Sequence, residues 1–283
     1  MNDQPPSLDP TVGAYYAQTP EESRLAIGPF RLEEARTREL LARHVPPPPA
    51  RVLDVGGAAG AYAFWLADRG YEVHLVDAAP RLVGIARDRN RDAPHPLASC
   101  AVGDARSLAE QDESADVILL LGPLYHLVDA AERHRALVEA ARVLRVGGVL
   151  IAAAISRWAS ALDGLSRDLL GDPAFARIVE RDLIDGQHRN PTGRPDYFTT
   201  AFFHRPEELR DEVNAAGLAV NALYGIEGPS WLLPDFMSRW EDEQQRERLL
   251  DVARMLESEP AMLGSSAHLL VVAGKPTSGH SPI

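Results

Sequence analysis

Three observations predict an α/β chain whose mostly parallel sheet is doubly wound, with helices on both faces. Between residues 51 and 155, short apolar runs of strand length alternate with amphipathic segments of helix length. Glycines at the joints, among them Gly70, Gly147 and Gly148, punctuate the alternation. Strands that follow one another through helices must run parallel, because each crossover returns the chain to the same end of the sheet.

The elements follow in order. Residues 20–44 read as a helix, with Leu25, Leu32, Leu40 and Leu41 set among charges, and the prolines from Pro46 to Pro49 end it. A buried-strand run covers 51–55, and a helix covers 61–68 up to Gly70. A second strand (71–76), a second helix (80–91), a third strand (99–102) and a fourth (116–121) come next. A helix over 129–144 leads through Gly147-Gly148 into a fifth strand at 149–155. The pattern then breaks. Helical patches at 160–170 and 173–184, a Gly/Pro-bearing loop and an aromatic run at 197–203 read as an insertion over the sheet. A helix (206–216), a sixth strand (218–224), a helical stretch (231–256) and a seventh strand (267–273) complete the chain. The organisation expected is an N-terminal helical cap (1–45), a core (46–155), a substrate-cap insertion (156–204), completion of the sheet (205–276) and a tail (277–283). The short polar ends, 1–10 and 277–283, are expected to fray.

Composition narrows the function classes. A net charge of −12 repels phosphate backbones, so nucleic acid is not expected as a partner. Cys100 is the only cysteine, which rules out an intrachain disulfide and fits a reducing compartment. No basic-then-apolar signal run opens the chain. The longest apolar stretch, 146–155, is about half of the ~20 residues that a membrane span needs. A cytoplasmic protein, monomeric or homodimeric, is expected.

In such sheets ligands bind beyond the carboxyl ends of the strands. After the first strand comes Asp54-Val55-Gly56-Gly57-Ala58-Ala59-Gly60, a turn whose backbone can approach a ligand closely. It is not the dinucleotide fingerprint, since Ala58 stands where the second glycine would and the third is absent. Two acids sharpen the reading. Asp77 ends the second strand, where a carboxylate can accept from ribose hydroxyls, and Asp104 follows the third, where one can accept from an adenine amine. A nicotinamide enzyme has no regular need for the second acid.

With these motifs the chain resembles the class I S-adenosylmethionine-dependent methyltransferases, especially the small-molecule group that includes ubiquinone and menaquinone biosynthesis enzymes. The residues that carry the resemblance are Asp54 to Gly60, Leu75-Val76-Asp77, Gly103-Asp104-Ala105, and Ala140-Ala141-Arg142-Val143-Leu144-Arg145-Val146-Gly147-Gly148 before the fifth strand. Ala58 departs from the family glycine. The resemblance implies a seven-stranded sheet with an antiparallel last strand and S-adenosylmethionine as cofactor. It implies a cofactor site of Tyr16, Asp54, Gly56, Gly57, Gly60, Asp77, Ala78, Asp104, Ala105 and Leu121. Methyl transfer to an oxygen or nitrogen of a small organic acceptor is the expected reaction. The alternatives are a peptide-directed methyltransferase and a non-catalytic S-adenosylmethionine-binding protein.

The fourth strand ends in Leu121-Gly122-Pro123-Leu124-Tyr125-His126, where the methyl group would lie. Gly122 and Leu124 break the Asn/Asp-Pro-Pro-Tyr pattern of amide and adenine methylation. No carboxylate follows until Asp129, so no metal is expected. His126 is then the candidate base or substrate hydrogen-bonder, with Tyr125 beside it; a purely structural histidine is the alternative. Tyr15 and Tyr16, ahead of the first helix, can contact the substrate and the methionine group, or simply pack the helix. Around the insertion, His188, Arg189, Arg194, His204 and Arg205 face a single acid, Asp196. An anionic acceptor held by His188, Arg194, Tyr197 and His204 is one reading. A solvated loop whose arginines pair with the chain's own acids is the other. Glu227 and Trp231, after the sixth strand, are further pocket candidates.

Overall fold

A computed structural model describes residues 9–276. The chain begins with α1 (Pro10–Gln18), a 3-10 turn (Glu21–Ala26) and α2 (Phe30–His44). The first half of the sheet follows as β1 (Arg51–Val55), α3 (Ala61–Ala67), β2 (Glu72–Asp77), α4 (Pro80–Arg91), β3 (Ser99–Val102) and β4 (Ala115–Leu120). Next come the single turn α5 (Pro123–His126), α6 (Ala130–Val143) and β5 (Leu144–Ser156). The insertion holds α7 (Ala159–Ser166), α8 (Pro173–Asp185), β6 (Gln187–His188) and β7 (Ala201–His204). The chain ends with α9 (Pro206–Ala215), β8 (Ala219–Gly225), α10 (Phe236–Glu241), α11 (Glu243–Leu256) and β9 (His268–Gly274).

The sheet runs β3-β2-β1-β4-β5-β9-β8, with β9 antiparallel to both of its neighbours. All seven expected strands are present, and the last in sequence is the antiparallel one. Side chains alternate across the sheet. Val52, Val117 and Leu119 enter one core, while Leu53, Val55, Ile118 and Leu120 enter the other. Because both faces are covered, β1 and β4 read as continuous apolar runs rather than alternating ones. Each fully buried aliphatic side chain in these layers contributes roughly 1.5–3 kcal/mol.

Two short strands were not expected. β7 pairs in parallel with Ile155 and Ser156 of β5. Ile155 also pairs with His268 of β9, so β7 takes the row beyond the end of β4, whose last partner is Ala152. The insertion is thereby fixed to the carboxyl end of the sheet.

Other boundaries moved for local reasons. The helix expected over 20–44 is broken at Gly28, which has φ +55°, and at Pro29, and only its second part is α-helical. Tyr15 and Tyr16, expected ahead of the first helix, lie inside α1. Pro10, assigned to the fraying end, opens that helix, and the Asp9 side chain caps it by accepting from the Thr11 N–H at 2.8 Å. The rest of the expected tails, residues 1–8 and 277–283, lies outside the described residues. β5 starts at Leu144 instead of 149, because its register with β4 shifts between Ala115 and Val117 around Gly147 (φ +77°). The stretch 231–256 divides at Asp242, whose side chain caps α11. Among the described residues, no helix is long and apolar enough to cross a membrane.

Candidate active site

A cavity of about 850 Å³ opens at the carboxyl ends of β1, β2 and β4. Its floor is the turn between β1 and α3. Gly56 has φ +75° and donates to the Val76 carbonyl at 2.7 Å. A methyl group on Gly56 would stand 2.5 Å from Cδ of Pro123, so the turn and the segment after β4 touch only because this residue is glycine. Gly57 is confined in the same way, 2.6 Å from Oδ2 of Asp54. Gly60 (φ +85°) starts α3 against Phe64 and supports the turn from behind the cavity wall. Ala58 keeps a left-handed conformation (φ +49°) at a cost of about 1 kcal/mol, so the departure from glycine leaves the turn's shape intact.

Three carboxylates are arranged around this floor. Asp77 accepts the N–H of Ala79 on Oδ1 at 2.7 Å and that of Ala58 on Oδ2 at 2.8 Å. It thereby ties the end of β2 to the glycine turn. Burial still holds its pKa above the ordinary range, against those two bonds. Asp54 is buried, and its Oδ2 has no hydrogen-bond partner among the described residues. Burial, with the charge of Asp77 added, pushes its pKa up to about 7. Asp104 is engaged by Arg106, whose backbone N, Nε and Nη2 lie 2.9, 2.9 and 2.6 Å from its oxygens. Burial opposes its charge, and the Arg106 bonds outweigh that and hold its pKa low. Ala78, Ala105 and Leu121 also line the cavity.

Over the floor stand Tyr16, Tyr125 and His126. The Tyr16 hydroxyl lies 2.6 Å from Nε2 of His126, whose Nδ1 is 3.5 Å from the Thr200 carbonyl. Thr11 bonds the Thr200 hydroxyl at 2.7 Å, and Arg81 donates to the Tyr16 carbonyl at 2.9 Å. These bonds latch α1 to the insertion and to α4. Burial pushes the His126 pKa down to about 4. Tyr16→Phe is expected to lower the melting temperature by about 2 °C, the loss of roughly one 1 kcal/mol hydrogen bond, and to weaken cofactor binding several-fold. Thermal melts with and without cofactor check this; an unchanged response to cofactor would show that α1 does not close the cavity.

Five residues expected at the substrate are not in the cavity wall. Tyr15 packs edge-on against Tyr16 and Phe198. His188 is buried between Asp182 and the Tyr197 carbonyl, each at 2.8 Å, and stacks on Phe203. Tyr197 is buried with its hydroxyl 2.6 Å from Asp172, and Arg194 pairs with the same carboxylate at 3.2 Å. His204 is buried against Glu212 at 3.2 Å. The loop's cations meet the chain's own acids, so the geometry gives no support to an anionic acceptor held there. Trp231 donates to the Ser265 carbonyl and stands apart as well.

The structure brings in a group that the sequence did not single out as a unit. Arg24 lies between Glu21, at 2.8 Å, and both oxygens of Glu33, at 2.6 and 2.9 Å. Beside them, His268 lies 2.6 Å from Glu227. Glu33, Glu227 and His268 present ligand atoms within 4.8 Å of one another, but the Arg24 fork already occupies both Glu33 oxygens. These residues come from α2, from after β8, from β9 and from a 3-10 turn. No local spacing signals their meeting; only Glu227 stood out in the sequence.

An acid-lined cavity on the carboxyl edge of this sheet is the arrangement expected of a class I S-adenosylmethionine-dependent methyltransferase. Comparison with known proteins agrees. Residues 53–152 match the family model described as a methyltransferase domain. A ubiquinone biosynthesis O-methyltransferase of Xylella fastidiosa is 31% identical over 228 residues, covering 78% of this chain and 79% of that one. An uncharacterized methyltransferase of Mycobacterium tuberculosis is 29% identical, covering 76% and 77%. Among solved structures, a SAM-dependent methyltransferase of Methanosarcina mazei superposes with a TM-score of 0.58 at 19% identity, covering 84% of this chain and 98% of that one. One from Mesorhizobium loti superposes at 0.57 and 17% identity, covering 86% and 99%. The chain belongs to the class I S-adenosylmethionine-dependent methyltransferase family, and S-adenosylmethionine is its cofactor.

Proposed function

We propose that this enzyme moves the methyl group of S-adenosylmethionine to an oxygen or nitrogen atom of a small organic acceptor. One observation carries the reading: the cavity is continuous from Asp77 and Asp104 to Tyr62, Tyr125, Ile226 and His268. At about 850 Å³ it lies near the top of the range for small-molecule sites, large enough for the cofactor and a second compact ligand. Enclosure beneath α1 favours a small solute over a folded macromolecule. The name of the Xylella relative favours oxygen.

The chain's residues fit the cofactor. The unpaired Oδ2 of buried Asp54 is suited to a cation, and Asp77 retains lone pairs beyond its two backbone bonds. When bound, the cofactor supplies a methyl group already activated by the sulfonium charge. The protein's share is therefore orientation, exclusion of water and removal of the acceptor proton. We assign His126 a positioning role, since both ring nitrogens are engaged and its basicity is low. We invoke no metal, because the Arg24 fork already occupies both Glu33 oxygens at the acceptor end.

Methyl-labelled cofactor added to a cell extract with the enzyme tests the reading. Label should accumulate in small solutes with S-adenosylhomocysteine as co-product. Label following protein or RNA would replace this reading with a macromolecular one. Binding of the cofactor without turnover on any extract would leave a binding protein.

A further inference from the structure

We infer that His268, held by Glu227, is the general base that takes the proton from a hydroxyl acceptor; the inference rests on the methyl-transfer reading above. β9 runs antiparallel to β5, so its first residue arrives where the parallel strands finish, opposite Ile155. That placement puts His268 in the cavity wall together with Tyr62, Tyr125, Ala153 and Ile226.

The hydrogen bonds fix which nitrogen is free. Ser266 Oγ accepts the Glu227 N–H at 2.8 Å and so turns its proton to Glu227 Oε2 at 2.5 Å. The backbone N–H of His268 donates to that same oxygen at 3.0 Å. The carboxylate is thus ringed by donors, and Nδ1, 2.6 Å from Oε1, is the ring nitrogen that carries the proton. Nε2 makes no hydrogen bond among the described residues, and its lone pair is left for the cavity. The carboxylate–imidazole pair has the form that orients a base and stabilises the cation it becomes.

The charged groups facing the ring are Glu227 after β8, Glu33 on α2 at 3.8 Å, and Arg24, which forks onto Glu33. Burial pushes the His268 pKa down; Glu33 and Glu227 outweigh it, Arg24 opposes them, and the net is above the ordinary 6.5. His126 is displaced the other way, to about 4. Of the two histidines in the wall, His268 is the stronger base.

The step balances as follows. The acceptor oxygen attacks the methyl carbon, the O–C bond forms as the C–S bond breaks, and the S–C electron pair leaves a neutral thioether. The hydroxyl proton passes to Nε2, and the positive charge formerly on sulfur rests on an imidazolium beside Glu227 and Glu33. Release of that proton to solvent resets the base. A neutral amine needs no such help, because its lone pair attacks before any proton leaves. The pair therefore marks a site for hydroxyl acceptors.

The test uses the full chain, S-adenosylmethionine, and simple phenols set against the matching anilines, reading S-adenosylhomocysteine formation against pH. Wild-type turnover of a phenol should rise with pH through a pKa above 6.5. His268→Gln should lower kcat by about a hundredfold while leaving cofactor affinity within about twofold. That deficit should shrink above the phenol's own pKa of about 10, where no base is needed. Glu227→Gln should move the profile toward lower pH. The inference is overturned if His268→Gln turns over nearly as fast as wild type, or if its deficit persists at high pH. Methylation of anilines but not phenols also overturns it, while leaving methyl transfer standing. Activity lost to a chelator and restored by a divalent cation would reassign the cluster to a metal. If the cofactor binds but no phenol turns over, NMR titration of His268 in the S-adenosylhomocysteine complex decides. A pKa above 6.5 that falls in Glu227→Gln carries the inference, and one that ignores Glu227 sinks it. Failure to bind the cofactor at all would instead fell the methyl-transfer reading.

Discussion

Asp54→Asn is expected to stabilise the ligand-free enzyme at pH 7 and to weaken its grip on S-adenosylmethionine, two effects of opposite sign from one atom. The carboxylate is buried, Oδ2 is unpartnered, and its pKa is raised from 3.8 to about 7. In the unfolded chain the group loses its proton near pH 4; in the fold it keeps that proton until about pH 7. Across that window the native state binds more protons than the unfolded one, so this group's contribution falls as pH rises. The full penalty is present above pH 7, and about three units set its upper bound near 4 kcal/mol. Asparagine removes it, and the melting temperature at pH 7 should rise by several degrees. Below about pH 3, where both states are protonated, wild type and variant should melt together. A cofactor bound as proposed, with its positive charge at the unpaired Asp54 oxygen, favours the ionised form. Binding below pH 7 should therefore release up to one proton, seen by calorimetry in buffers of different ionisation enthalpy. The variant should release none there and bind about ten- to a hundredfold more weakly. Equal melting temperatures at both pH values would show that Asp54 is not strained in the fold.

The sequence displays Asp54 and Asp77 because a parallel sheet places the residues after its strands at one edge, so spacing along the chain maps onto position in space. The same logic makes Gly56 and Gly57 readable: the turn must pass under Pro123 and over Asp54, and only glycine clears both. It fails for the acceptor end. His268 stands at the start of a strand, and reaches the ligand edge only because β9 runs backwards. Its partners Glu33 and Arg24 look in sequence like the charged face of a solvated helix; they are buried by packing across 235 residues of chain, counted from Glu33 to His268. The loop around Arg194 misleads for the converse reason. Its basic side chains are conspicuous against an acidic background, yet Asp172, Asp182, Glu208 and Glu212, on the neighbouring helices, reach them first. α1 escaped notice because Gly13 and two tyrosines blur a short helix whose cap, Asp9, and opening proline were assigned to a frayed end.

Asp77→Ala is expected to cause the largest loss of cofactor affinity of any single change in the floor. The side chain accepts from Ala79 and Ala58 at once, and its removal leaves two N–H groups without acceptors, at roughly 1–3 kcal/mol each where water cannot replace the carboxylate. It also removes the acceptor at the end of β2 where the ribose is expected. Cofactor affinity should fall by about a hundredfold or more, and the melting temperature by several degrees. Asp77→Asn is not a rescue, because its amide nitrogen must face one of the two N–H donors. Adenosine and S-adenosylhomocysteine separate the two contributions. Loss of the ribose acceptor alone weakens both ligands equally. Loosening of the glycine turn, which the Ala58 bond anchors, is expected to add a further loss for S-adenosylhomocysteine, whose amino-acid end is expected over that turn. The bond from Ala58, which holds a left-handed conformation beside Gly57, predicts the larger loss for S-adenosylhomocysteine. Equal losses would confine Asp77 to the ribose, and unchanged affinity for both would move the nucleoside away from β2.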